Sequence, residues 1–281
     1  APSLVAVGVP FRVHVRVEDA WRNPSGTYRP RVTLLADGRP AATHTFTHRD
    51  AATAWLECVL HEPGVVTLQI ADDAGELPPA EQPVECRAEP PAERLWWGDL
   101  HGQCNLGCGA GSLASYFRHA RDIAGLDFAG HQPNDHYVTR AMWDEAQRVT
   151  KEYHAPGRFV TLLGYEWSGE SADGGDHNVY FAGDTHPIRR SSHSLMPDEG
   201  DLATDLTDVR DLYDWLQGTD ALVVAHVGGR PADLSRHDPA IEPLVEVHST
   251  HATSEWFFQE ALARGYEVGV VAGSDGITGR P

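Results

Sequence analysis

Near residue 94 the spacing of apolar residues changes, and a chain with two such periods needs two kinds of packing. Up to about residue 92 the period is two. "FRVHVRV" places Phe11, Val13, Val15 and Val17 on one face, "WLECVL" does the same with Leu56, Cys58 and Leu60, and "VVTLQI" with Val66, Leu68 and Ile70. "RVTLLADG" closes on a turn signal. Short strands with Gly and Pro between them predict an all-β, immunoglobulin-like sandwich. The histidines in this stretch, His14, His44, His48 and His61, fall singly and read as solvated or structural. "AEPPAER" then supplies a Pro-rich junction, giving domains at 1–92 and 93–281.

Beyond the junction, strand patterns alternate with helical ones. "GSLASYFRHARDIAGL" leads into "DFAGHQ", "TRAMWDEAQRVTKEYH" into "FVTLLGYEW", "ATDLTDVRDLYDWLQG" into "ALVVAHVGG", and "TSEWFFQEALARGY" into "VGVVAGSD". That order predicts α/β architecture with parallel strands and crossovers, as an open sheet or a barrel. "GGDHNVYFAGD" reads as a short hairpin, and residues 184–201 as a long polar loop.

Ionisable residues fall at the ends of these strands. His101, His131, Glu166, His226, Glu246 with His248, and Asp275 each sit at or just past the C-terminal end of a separate predicted strand. In "LWWGDLHGQC" strand alternation would put Trp97, Asp99, His101 and Gln103 on one face. That edge is where sites form in α/β folds, because strands fix the backbone while the following loops vary. Burying several acids and imidazoles together costs several kcal/mol per uncompensated charge, and cations would offset it. Mixed imidazole and carboxylate donors favour zinc, manganese or iron over calcium or magnesium. The number of donors predicts two or three ions, and such a centre supplies a metal-bound hydroxide for hydrolysis.

Charge narrows the partners. With 41 acidic residues against 22 lysines and arginines the formal charge is −19. That disfavours nucleic acid and anionic membrane, whose binding rests on neutralising phosphates. No apolar run approaches the ~18 residues of a membrane span. The expectation is a soluble protein, with the cytoplasm favoured, acting on a small anionic molecule. Cys58 and Cys86 lie in predicted strands and read as buried thiols rather than a disulfide. Cys104 and Cys108 lack the second pair a structural zinc site needs.

"GDLHGQ", "GLDFAGHQPND", "LLGYEWSG" with "GGDHNVYF", "VVAHVGG", "VEVHS" and "GSDG" with "GRP", in this order over residues 95–281, resemble the PHP (polymerase and histidinol phosphatase) superfamily. The closer likeness is to a branch with a β-sandwich ahead of the hydrolase domain. The resemblance implies a distorted (β/α)7, TIM-like barrel, two or three divalent ions such as Zn, Mn or Fe, and phosphoester hydrolysis. Carried over by position, it implies Asp99, His101, His131, Asp135, Glu166, Asp176, His226, Glu246, His248 and Asp275 as metal ligands. Glu166 would bridge ions, and His248 or His136 would serve as general acid. In "GGDHN", alternation allows only one of Asp176 and His177 inward, and the ligand position falls on Asp176.

Two departures stand out. Gln103 replaces the second histidine of the first motif, and Ile277 replaces the last motif's histidine. Gln103, Arg190, His193, Arg230 and Arg280 are the expected substrate contacts. The departures keep two alternatives in view: a degenerate module that binds without catalysis, and a hydrolase of a non-phosphate ester, amide or sugar derivative. Strand-helix alternation stopping at "GRP" would leave one side of the sheet bare. A fragment or a homo-oligomer would each account for that.

Overall fold

The computed structural model describes residues 1–281, which form two compact units, Ala1–Trp96 and Trp97–Pro281. The first unit holds β1 (Leu4–Ala6), β2 (Phe11–Arg16), β3 (Arg31–Ala36), β4 (Arg39–Thr45), β5 (Thr53–Cys58), β6 (Gly64–Asp72) and β7 (Ala80–Arg87). They form a five-stranded sheet of order β1-β7-β6-β3-β4 and an antiparallel pair, β2-β5. Phe11, Val13, Val15, Leu56 and Cys58 from the pair share one core with Val32, Leu34, Leu68, Val84 and Cys86 from the sheet. The period-two pattern is the cause, since each strand turns its apolar face to the other layer and its polar face to water. Asp37 and Gly38 link β3 to β4 with φ of 46° and 76°, as a two-residue hairpin turn requires. All four cysteines are free thiols, with Cys58, Cys86 and Cys104 buried.

The second unit is mixed α/β. Its strands are β8 (Gly98–Asp99), β9 (Phe128–Gly130), β10 (Val160–Ser168), β11 (Asp176–Phe181), β12 (Ala221–Ala225), β13 (Leu244–His248) and β14 (Gly269–Ala272). They lie side by side in chain order in one seven-stranded sheet. Gly102 bridges to Gly276, Gln103 N–H donates to Gly276 O at 3.0 Å, and Asp275 N–H donates to His101 O at 2.6 Å. These bonds tie the loop after the last strand to the loop after the first and nearly close a barrel.

Four α-helices accompany the sheet: α1 (Leu113–Arg118, continued by a π-helical turn, His119–Ala124), α2 (Arg140–Tyr153), α3 (Val209–Leu216) and α4 (Glu255–Ala263). Ser112, Thr139 and Asp208 cap the first three by accepting a backbone N–H. Leu113, Phe117, Trp143, Val149, Leu212 and Leu216 cover the outer sheet face at Leu163, Val179, Phe181 and Val223. Phe257 and Ala261 of α4 pack on Ala225 and Val245. No helix is long and apolar enough to cross a membrane.

Strict (β/α)7 alternation is not what the chain builds. β11 runs antiparallel to both β10 and β12, while the other four pairings are parallel. Residues 169–175, which join β10 to β11, are too few for a parallel crossover, which needs roughly a dozen. The "GGDHNVYF" segment is therefore a full strand of the sheet. Between β12 and β13 lies only a short 3₁₀ turn, Leu234–Arg236, because Gly228, Gly229, Pro231 and Pro239 break any helix there.

Candidate metal centre

Alternation along the central strands sorts the side chains between two environments. On β10, Leu163, Tyr165 and Trp167 join the helix-covered core, so Gly164 and Glu166 face the opposite side. On β11, Val179 and Phe181 join that core and His177 shares their face. His177 Nε2 lies 3.4 Å from Glu242 and its ring 5.9 Å from that of Tyr213. Asp176, Asn178 and Tyr180 take the inner face, the orientation the sequence predicts for Asp176.

Three side chains from distant parts of the unit converge inside. His101 follows β8, His226 follows β12 and Asp275 follows β14; all are buried, and their ligand atoms lie within 4.8 Å of one another. His101 Nε2 is 3.3 Å from Asp275 Oδ1, and His226 Nε2 is 3.6 Å from Asp275 Oδ2. Glu246 stands behind both rings. His101 Nδ1 is 3.0 and 3.1 Å from its two oxygens, and His226 Nδ1 is 3.5 Å from Oε1. A carboxylate only accepts, so each Nδ1 carries a proton, and a cation binding at Nε2 would take the place of any proton there. Asn178 Nδ2 sits 2.9 Å from both Glu246 Oε2 and His101 Nδ1, and it gives its proton to the carboxylate, the stronger acceptor.

These residues fit a divalent cation. Both Nε2 atoms are buried and lack any hydrogen-bond partner, a state that costs roughly 1–3 kcal/mol each if nothing fills it. Ligands about 2.1 Å from a zinc-sized ion at tetrahedral angles lie ~3.4 Å apart, close to the separations found here. Glycines keep the space open. A Cβ at Gly228 would come within 2.7 Å of His226 Nε2 and of Asp176 Oδ2, and one at Gly273 within 2.5 Å of His101 Cβ. Asp275 itself takes φ of 44°, a left-handed conformation that asparagine and aspartate tolerate better than other side chains.

Electrostatics favour positive charge at this point. His101 is pushed well above the ordinary imidazole range: burial opposes the shift, but the adjoining Glu246 and Glu166 carboxylates overcome it. Burial also opposes the lowering of Asp275, which wins through His226, His101 and His251. Asp99 and Asp176 are both raised by burial, and Glu166 adds to the second.

The other expected ligands have protein partners. Asp99 Oδ1 accepts from the backbone N–H of His101 at 3.1 Å and of Ser274 at 3.0 Å. His131 Nε2 accepts from Cys104 N–H at 3.1 Å, and burial beside His101 holds it neutral, with its pKa lowered to about 3. Asp135 accepts the N–H groups of His136, Ser168 and Ser191, which ties its own 3₁₀ turn to the end of β10 and to the 184–208 segment. His136 Nδ1 lies 3.2 Å from that same carboxylate. Glu166 Oε2 is 3.6 Å from His101 Nε2 but also accepts from Gln103 Nε2 at 3.1 Å and from Asn134 Nδ2. Asp176 is paired with Arg230, whose Nε is 2.8 Å from Oδ1 and whose backbone N–H is 2.9 Å from Oδ2. A bulge between Glu246 and His248 breaks their alternation, so Glu246 is buried while His248 is exposed and bonded to Thr253 Oγ1 at 2.7 Å. Trp97, expected on the face of Asp99 and His101, is 59% exposed because β8 spans only Gly98–Asp99.

Among the expected substrate contacts, Arg190 is buried and spent on Val138 O at 2.9 Å and Asp201 Oδ2 at 2.7 Å. His193 sits between Asp205 and Asp201 at 2.8 and 3.0 Å. Together they fasten the 184–208 segment. Arg280 is exposed. Asn178, Asn134 and His251 were not anticipated. Asn178 was within reach, being two residues beyond Asp176 on the inward face. His251 Nε2, on a half-exposed ring, lies 3.3 Å from Asp275 Oδ2.

Residues 110–230 match a family described as proteins of unknown function, DUF3604. An uncharacterised protein of Chlamydia pneumoniae is 24% identical over 176 residues, 60% of this chain and 28% of that protein. One of Chlamydia trachomatis serovar D is 24% identical over 197 residues, 64% of this chain and 30% of that protein. The chain therefore spans less than a third of the length of these relatives. A Bacteroides vulgatus crystal structure, described as a two-domain protein containing a predicted PHP-like metal-dependent phosphoesterase, aligns with TM-score 0.43 and 14% identity. The alignment covers 66% of this chain and 52% of that one.

Proposed function

We propose that the second unit is a metal-dependent hydrolase of phosphoesters, of the PHP type that its ordered motifs resemble. The observation that carries the reading is the pair of buried, unpartnered imidazole nitrogens of His101 and His226 facing the Asp275 carboxylate. A divalent cation bound there would polarise a substrate oxygen and bring the pKa of a water toward neutrality. Two imidazoles and a carboxylate suit zinc, manganese or iron.

The remaining work falls to the chain's own residues. Glu246 holds His101 in the ligating tautomer, as carboxylates behind metal-binding histidines do. Glu166, held by Gln103 and Asn134 and 3.6 Å from His101 Nε2, is suited to accept a proton from the attacking water. His251, half-exposed beside Asp275, is better sited than His136 or His248 to protonate a leaving group. Arg230, paired with Asp176, brings a permanent positive charge near the triad for an anionic substrate.

Metal content of the purified protein, with hydrolysis of nitrophenyl phosphate mono- and diesters under added Zn, Mn or Fe, tests this. Retained metal with metal-dependent phosphoester cleavage is the expected result. A protein that neither keeps nor responds to metal would overturn the reading. Cleavage restricted to carboxylic esters would move the substrate class and leave the hydrolase.

A further inference from the structure

We infer that Arg230 stands where a second cation would, so that the centre pairs one divalent ion with one fixed guanidinium. This rests on the metal-centre reading above and narrows the two or three ions that the sequence leads one to expect. Asp176, expected to be a ligand, is fully buried and has both oxygens committed to Arg230, one to Nε and one to the backbone N–H. The lock is reciprocal, because Asp176 N–H donates to Arg230 O at 2.8 Å. Pairing of this kind costs nothing in reorganisation when the substrate arrives, since the guanidinium stays charged at any working pH.

The pair adjoins the triad. The single Cβ position excluded at Gly228 lies 2.7 Å from Asp176 Oδ2 and 2.7 Å from His226 Nε2, so those two atoms border one small gap. Arg230 also lies within the fields of Glu166 and Asp135. Several of the other inward donor atoms already have protein partners. Glu246 serves the two imidazoles and Asn178, Glu166 Oε2 accepts from two amides, and His131 Nε2 accepts a backbone N–H.

The test is metal stoichiometry of the full chain, loaded separately with Zn and Mn, desalted and measured by elemental analysis. The wild type should hold one ion per chain, Arg230→Lys one, and Arg230→Ala two, the second bound more weakly. Electron paramagnetic resonance of the Mn-loaded wild type needs no variant and should show the hyperfine pattern of an isolated ion. Two ions in the wild type, or an exchange-coupled spectrum, would overturn the inference and leave the metal-centre reading standing. No ion in the wild type would overturn both. Arg230→Ala remaining at one ion, with a wild-type melting curve, would show that the guanidinium is not what excludes the second.

Discussion

The interiors of the two units are built on opposite principles. In the sandwich the core is apolar, and its one buried acid, Asp72, is fully partnered: it accepts from Glu76 N–H and Leu77 N–H at 3.1 Å and from Tyr28 O–H at 2.9 Å. Every other buried polar or charged side chain lies in the second unit, where His101, His226, Gln103, Gln132 and Asn178 each leave an atom unpartnered. Both interiors face the same cost of desolvation. The sandwich meets it almost wholly from within, His44 Nε2 being its one buried side-chain atom without a hydrogen bond, whereas the second unit leaves several such atoms, those of His101 and His226 among them.

The sharpest way to break this contrast is to remove the unpartnered atoms. His101→Ala with His226→Ala should abolish retained metal and lower phosphoester hydrolysis by more than about 100-fold, beyond what losing an outer-shell partner does. The readouts are elemental analysis and a nitrophenyl phosphate assay. Retention of metal by a folded double variant would place the centre elsewhere.

A second buried acid in the same unit separates structural charge from functional charge. Glu242 lies between His237 Nδ1 at 2.7 Å, His177 Nε2 at 3.4 Å and the Tyr213 hydroxyl. Burial would raise its pKa, but His177, His237 and Tyr213 draw it down to about 2. Its folded-state pKa thus lies below the unfolded one. The stability it contributes is whole above about pH 4.5 and fades as the pH falls toward 2. Glu242→Gln should cost roughly 3–5 kcal/mol at neutral pH and flatten the acid limb of the stability profile, measured by denaturant titration from pH 7 to 3. Metal content should not change.

What the sequence reveals and what it hides follow from the same contrast. Alternation is a local property, so the sandwich faces, the four helices and the inward turn of Asp176 rather than His177 could all be read from residue spacing. The β11 strand could have been placed too, because residues 169–175 cannot span a crossover. Which inward residues remain free to ligate is not local. Asp99 Oδ1 accepts from Ser274, His131 Nε2 from Cys104, and Asp135 Oδ2 from Ser191, all partners brought by tertiary folding. The bulge that turns His248 away from Glu246 leaves no mark in "VEVHS".

Glu246→Gln probes the relay behind the imidazoles. An amide can present its nitrogen rather than its oxygen to the rings, so it no longer enforces the tautomer that frees Nε2. Metal affinity should fall 10–100-fold, measured by competition with a chelator. Wild-type affinity should itself rise with pH, because a proton competes for His101 and the neighbouring acids hold that proton above the usual imidazole range. In Glu246→Gln the pH at which binding is half-lost should move down, since the largest contribution raising His101 is gone. An unchanged midpoint would mean that Glu246 is itself a ligand.

The smallest effect belongs to the sandwich. Asp72→Ala removes the acceptor for two backbone N–H groups and a tyrosine hydroxyl, and should lower the stability of the first unit in denaturant titration. The same change lowers the Tyr28 pKa, because Asp72 and burial together now hold the phenol protonated. Metal content and hydrolysis should stay at wild-type levels. That null result in activity carries the comparison: a buried acid whose every bond is made by the protein affects only folding, whereas an imidazole with an unmet lone pair affects chemistry. Loss of hydrolysis in Asp72→Ala, with the second unit still folded, would mean that the two interiors do not divide their roles in this way.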